Sequence, residues 1–391
     1  MKIRYNILAI LTVLLISCSE EKIIPDTGKG EGTVTLTFTA QSGAKTRTVL
    51  EGSENLQHVT EVFLYIFDAT TNQCTKVEQL YWPHKQEDLK GDELLNHTLT
   101  RSYSLTLSSG TYTFLAVGTD NPLDETTNER LSDGIGAGTT YNLPGTITVG
   151  TSLADAKATL AAGKTKEDIA RSELFAGWVP VTIKENDNAA IFINLYRRVA
   201  GVMGWFKNVP ANTSKIQISL YTQQNKSGYL QKQEPEDNWP YGIKNPDNFK
   251  DYITDPVSTT EKEDKILVSI EVPATGMEAT TVLSRGSYVL PAAAPAMGDG
   301  KEYTLLIELI ASDGTVSKTM KAKMKEGDDL YISPTESTGV IDMGGPFRFP
   351  IVANRFYSIG SKDEPVDVGG DGDDIVITVN PGWDEIIDIP F

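Results

Sequence analysis

Apolar and polar residues alternate through Thr33-Val34-Thr35-Leu36-Thr37-Phe38-Thr39, with Val34, Leu36 and Phe38 on one side and threonines on the other. A period of two in β-favouring residues predicts a strand with one buried face. The run Val62 to Phe67 is apolar without alternation, so a strand covered on both faces is expected there. Further strands are predicted at Tyr103–Leu107, Tyr112–Val117, Val179–Ile183, Ile191–Val199, Ile216–Tyr221, Ile266–Val272, Tyr303–Ile310 and Ile375–Val379. Turn residues separate nearly all of them. Helical character is confined to Ser152–Ala162, rich in Ala and Leu, with Gly163 as a stop. The pattern predicts an all-β protein, and its length suggests two β-sandwich domains in tandem with short helical insertions.

A weak internal echo supports two related units. Gly110-Thr-Tyr112-Thr-Phe-Leu-Ala116 matches Gly286-Ser-Tyr288-Val-Leu-Pro-Ala292 in the placement of Gly, Tyr and Ala. Each half also opens with two apolar strands, Thr33–Thr39 then Val62–Phe67, and Ala190–Val199 then Lys215–Tyr221. The polar stretch Lys184–Asn188 is the expected boundary, giving an N-terminal domain over 33–188 and a C-terminal domain over 189–391.

The first residues change the picture. Lys2 and Arg4 precede an apolar run, Ile7 to Ile16, that stops at Ser17 and Cys18. Such a run falls short of the roughly 20 residues of a permanent span, and it reads as a signal peptide over 1–17. Leu15-Ile16-Ser17-Cys18 has the order of a lipobox, which makes Cys18 the expected lipidation site, with acyl chains such as palmitate holding the chain to the outer membrane. Residues 18–32, with Pro25 and several glycines, then form a tether. Cys74 is the one other cysteine, so no disulfide can staple the mature chain. A formal charge of -18 argues against nucleic acid as a partner.

Candidate chemistry is sparse. His58, His84 and His97 show no metal-ligand spacing, and no nucleophile elbow, phosphate loop or dinucleotide fingerprint is present. The expectation is a non-enzyme without cofactor or metal. Asp367, Asp371, Asp373 and Asp374 among glycines offer oxygen ligands of the kind calcium takes, and a solvated turn explains them as well. Trp239-Pro240-Tyr241 is a candidate aromatic platform for a sugar ring, or packing over a sandwich end.

The remaining constellation is mechanical. The alternating first strand is followed by the polar, basic segment Ser42-Gly-Ala-Lys45-Thr46-Arg47-Thr48, and the far end carries Ile375-Val-Ile377-Thr-Val379 and then Pro381-Gly-Trp-Asp-Glu-Ile386-Ile387-Asp-Ile389-Pro-Phe391. Loss of the first strand would expose a sheet edge and an apolar groove able to recruit a strand from another chain.

In this order of features the chain resembles the fimbrillins, the fimbrial subunit lipoproteins of gut and oral Gram-negative anaerobes. The likeness runs through the lipobox at Cys18, the first strand with Lys45-Thr46-Arg47, the Val62–Asp68 strand, Gly110-Thr-Tyr112, Leu195-Tyr-Arg197-Arg198-Val-Ala200, and Phe349-Pro-Ile-Val-Ala-Asn354-Arg-Phe-Tyr357. The resemblance implies two transthyretin-like Greek-key β-sandwiches and a precursor processed by an arginine-specific protease, with Arg47 at the cleavage position. It further implies that the vacated groove accepts the C-terminal strand of another fimbrial subunit, for which Ile375, Ile377 and Val379 are the expected donor residues. An anchor that keeps its lipid and first strand, and a surface lipoprotein that binds host or other glycans, are the alternatives.

Overall fold

The computed structural model describes residues 30–40, 59, 61–81, 100–119, 140–221, 224, 227–230, 265–274, 277–292, 294–295, 301–325, 345–372 and 374–380. Two large sheets organise these residues, and the class is all-β. In the first sheet the order is β3-β2-β5-β7-β8-β1-β4. These strands are β1 (Glu31–Ala40), β2 (Glu61–Asp68), β3 (Gln73–Tyr81), β4 (Thr100–Ser108), β5 (Gly110–Thr119), β7 (Leu174–Ile183) and β8 (Asn188–Arg197). β7 and β8 pair only at Phe175↔Arg197 and Ala176↔Tyr196, so the sheet folds over on itself there. The two layers enclose Val34, Leu36, Phe38, Val62, Leu64, Ile66, Phe114 and Leu195.

The second sheet takes β9 (Ala200–Lys207), β10 (Thr213–Leu220), β12 (Ile266–Glu271), β13 (Leu283–Val289), β14 (Leu305–Ala311), β15 (Val316–Met324), β16 (Phe356–Ile359) and β18 (Asp374–Asn380). Their order is β12-β10-β14-β15-β18-β16-β9-β13, with β17 (Val366–Asp367) beside β9. Its core contains Val202, Ile216, Ile218, Leu305, Ile307, Met320, Ile359, Ile375, Ile377 and Val379.

A third apolar cluster joins the two. Phe63, Tyr65 and Phe67 leave β2 on the face opposite Val62, Leu64 and Ile66. They pack in one cluster with Tyr141, Leu143 and Ile169 of the 140–172 segment and with Met203, Trp205, Tyr288 and Phe356 of the second unit. Coverage on both faces explains why Val62–Phe67 carries no alternation.

Three expectations need correction. Ser152–Ala162 is a 3-10 turn, Leu153–Asp155, followed by the short strand β6 (Lys157–Thr159), which pairs with β11 (Ser227–Tyr229). Ala156 turns extended at φ -65, ψ 105, and Ala156 and Ala158 are fully buried in the joining cluster. Here tertiary contact outweighs helix propensity. The expected boundary at 188–189 falls before a strand of the first sheet: β8 pairs with β1 and β7, and the chain changes sheets between Arg197 and Ala200. Lys184–Asp187 is instead the turn between β7 and β8, with Asn186 at φ 55. The echoed segments also occupy different places. β5 lies between β2 and β7, whereas β13 ends the second sheet.

Candidate functional site

The first strand sits in a slot. β1 runs parallel to β8 and antiparallel to β4, so both of its edges are hydrogen-bonded. Val34, Leu36 and Phe38 have no exposed surface, and they face the core shared with Ile193 and Leu195 of β8 and Leu105 of β4. At about 1.5–3 kcal/mol per fully buried side chain, the three contribute roughly 5–9 kcal/mol, an upper estimate. On the outer face Thr35 Oγ1 lies 3.1 Å from Ser104 Oγ, and Thr37 Oγ1 lies 3.2 Å from Ser102 Oγ.

The β7–β8 turn grips the start of this strand. Asn186 N donates to Glu31 O at 2.8 Å, and Thr33 N donates to Asp187 O at 2.8 Å. Ser109 N donates to Gly30 O at 2.7 Å. Gly32 is required between them, because a Cβ there would stand 2.7 Å from Lys184 O and 2.8 Å from Ile183 Cγ2.

Connectivity gives the slot its meaning. Neither neighbour of β1 is adjacent in sequence, and β4 pairs with β1 alone among the described strands. Withdrawal of β1 would therefore break no hairpin, yet it would leave β4 without a ladder and β8 with a bare edge. A strand that fills the gap would restore both. The spacing of the opening is set by the three apolar positions Val34, Leu36 and Phe38.

β8 is held firmly below the slot. The buried Arg197 Nε donates to Glu173 Oε1, and its guanidinium stands 5.4 Å from the Phe175 ring centre. The crossing to β9 is tied by Arg198 N to Leu174 O at 2.6 Å and Asn354 N to Val199 O at 2.9 Å. Asn354 sits at φ 57. In the same segment Tyr357 Oη donates to Pro350 O at 2.6 Å and accepts from Val352 N at 2.9 Å. Phe349–Tyr357 is thus a structural corner of the second core.

Of the expected site residues, Cys18 and Arg47 lie outside the described residues, as do His58, His84, His97, Trp239, Tyr241, Asp373 and residues 381–391. Arg47 follows the end of β1 at Ala40 by seven positions in sequence. Ile375, Ile377 and Val379 lie in the core of the second sheet. β18 lies between β15 (parallel) and β16 (antiparallel), and the three side chains are 6%, 1% and 8% exposed. An alternating strand looks the same in sequence whichever sheet it completes, and here both of its edges are already used.

The acidic loop is also a structural turn. Asp367 Oδ1 accepts from Asn208 Nδ2 at 2.8 Å and from Gly369 N and Gly370 N, each at 3.1 Å. The bond from Asn208, chiefly, holds its carboxyl below the usual range. Lys318 Nζ donates to the carbonyls of Val368, at 3.2 Å, and Gly370, and so supplies the positive charge of the loop. No group of three or more metal-capable side chains occurs among the described residues.

The sequence matches a known family. The model of the Fimbrillin-A associated anchor proteins Mfa1 and Mfa2 matches residues 25–282, and the chain belongs to this family. Membership gives it a fimbrial role at the cell surface. No curated protein matches. Among solved structures, the tip fimbrial protein Mfa3 of Porphyromonas gingivalis, with C-terminal truncation, is 10% identical with a TM-score of 0.43, covering 90% of this chain and 99% of that one. A fimbrial assembly protein of Parabacteroides distasonis is 12% identical with a TM-score of 0.39, covering 90% of this chain and 96% of that one.

Proposed function

We propose that this chain is a surface-lipoprotein subunit of a fimbria whose first strand is a removable placeholder. The observation that carries this reading is the slot: β1 fills a gap between β8 and β4 with Val34, Leu36 and Phe38, and its neighbours lie far along the chain. Lipid on Cys18 holds the precursor at the outer membrane, and an arginine-specific protease cuts after Arg47 and frees β1. Another subunit then supplies the missing strand.

The donor is sought beyond Asn380. Ile387, Ile389 and Phe391 alternate with Asp388 and Pro390 as Val34, Leu36 and Phe38 alternate with Thr35 and Thr37. In that register Pro390 takes the place of Thr37 and forgoes one ladder hydrogen bond, a loss of about 1 kcal/mol. This is small beside the roughly 5–9 kcal/mol offered by three apolar pockets. A retained first strand is the anchor reading, and the match to the model of the Fimbrillin-A associated anchor proteins supports it.

The N-terminus of the protein isolated from cells separates the two. A start at Thr48, lost in Arg47→Ala, supports the removable strand. Lipid on Cys18, read by fatty-acid labelling and abolished in Cys18→Ala, with β1 still attached in the fimbria, would establish the anchor.

A further inference from the structure

One end of the second sheet carries a row of alternating cations and aromatic rings. Lys265 Nζ stands 5.7 Å from the Tyr221 ring centre, and Tyr221 meets Tyr303 edge to face at 5.1 Å. Lys321 Nζ is 5.7 Å from the Tyr303 ring and 5.9 Å from the Phe347 ring, and Lys323 Nζ is 6.0 Å from Phe347.

The strand pattern produces this row. On β15 Met320, Ala322 and Met324 turn into the core, so Lys321 and Lys323 turn outward. Tyr221 follows the end of β10, Lys265 precedes β12, and Tyr303 precedes β14. In the order β12-β10-β14-β15 these positions are neighbours, and at about 4.8 Å per strand the row spans roughly 14 Å.

Its charge runs against that of the chain. On a background of -18, Lys265, Lys321 and Lys323 have no ion-pair partner among the described residues. Lys321 donates instead to Lys301 O at 3.1 Å. Among the described residues, Glu302 adjoins Tyr303 in sequence and Glu308 acts on its phenol; they are 6% and 9% exposed and have interactions of their own. Ring contacts hold the ammonium groups in place, so little order is lost when an anion binds.

We infer that Lys265, Tyr221, Tyr303, Lys321, Phe347 and Lys323 form a binding site for an acidic polysaccharide. Carboxylates along the polymer meet the ammonium groups, and the apolar faces of its sugar rings lie against the aromatic side chains. A lipid headgroup has charge without such ring faces and would leave the aromatic half of the row unused. The rest of the acidic surface repels a polyanion and confines it to this row.

The test uses the full chain and oligosaccharides of polygalacturonate, with dextran and phosphatidylglycerol-containing vesicles as comparison probes in calorimetric titrations. Binding to polygalacturonate, weakened by salt and absent for dextran, is expected. Lys321→Gln with Lys323→Gln should lower affinity roughly tenfold or more, and Tyr221→Leu should lower it without altering the salt dependence. Lys184→Gln, on the distant β7–β8 turn, should change nothing. Melting curves establish that each variant is folded, and Lys265→Gln is read in place of the double variant if that one is not. No binding to polygalacturonate, equal binding to dextran, undiminished binding by the lysine variants, or binding to the vesicles alone would each overturn the assignment.

Discussion

Ile377→Ala tests whether β18 belongs to its own unit. Ile377 is 1% exposed and lies in register with Met324 of β15 and Ile359 of β16, both in the same core. Truncation removes its buried methyl and methylene groups and leaves a cavity between two paired strands, at about 2–5 kcal/mol. The second sheet runs from Ala200 to Asn380. For a unit of that size each kcal/mol lowers the melting temperature by about 2–4 °C, which gives a drop of roughly 4–20 °C. Val376 on the same strand is 59% exposed, so Val376→Ala should stay within about 0.5 kcal/mol of the parent. Thermal unfolding of the isolated monomer, followed by near-ultraviolet circular dichroism, reads both. Equal melting of the two variants would refute the placement of β18 and restore Ile375, Ile377 and Val379 as donor residues.

Three other outcomes follow from the same geometry. Glu173→Ala leaves the buried Arg197 guanidinium without its carboxylate, and the monomer should lose about 3–5 kcal/mol in denaturant titrations. Burial, chiefly, pushes the Tyr303 phenol up to about 12 from 10.0. Its contribution to stability is full below pH 10 and is lost as pH rises towards 12, so the alkaline fall in stability across that window should shrink in Tyr303→Phe, with absorbance at 295 nm following phenolate formation. Protein cut after Arg47 and stripped of β1 should lose amide-exchange protection in β4 as well as along β8, whereas β2 and β5 should keep theirs, because β4 has no other partner among the described strands.

Much of this fold is legible in the sequence where burial is one-sided. Val34, Leu36 and Phe38 announce β1 because threonines separate them, and the unbroken Val62–Phe67 run announces a strand with two covered faces. β15 escapes notice because its inward residues are Met320, Ala322 and Met324, which carry little β signal, between lysines and threonine. β9 is masked by Gly201 and Gly204. The slot itself lies beyond local pattern. That β1 joins β8, some 150 positions away, depends on the turn at Lys184–Asp187 reaching back to Glu31 and Thr33, and those polar residues read equally well as a linker. The lysine–aromatic row is likewise assembled from strand ends that are distant in sequence.

A β1 slot that accepts a strand from another copy gives a subunit ladder on an unboiled gel after cleavage at Arg47. The full chain is treated with an arginine-specific protease, alone and as the Ile389→Asp variant, and the N-terminus of each band is sequenced. A ladder of bands beginning at Thr48 is predicted, and it should vanish in Ile389→Asp, which puts a charge where the Leu36 pocket expects an apolar group, while monomer melting is unchanged. A monomer that keeps the Cys18–Arg47 fragment bound after cleavage, or a ladder untouched by Ile389→Asp, would contradict it.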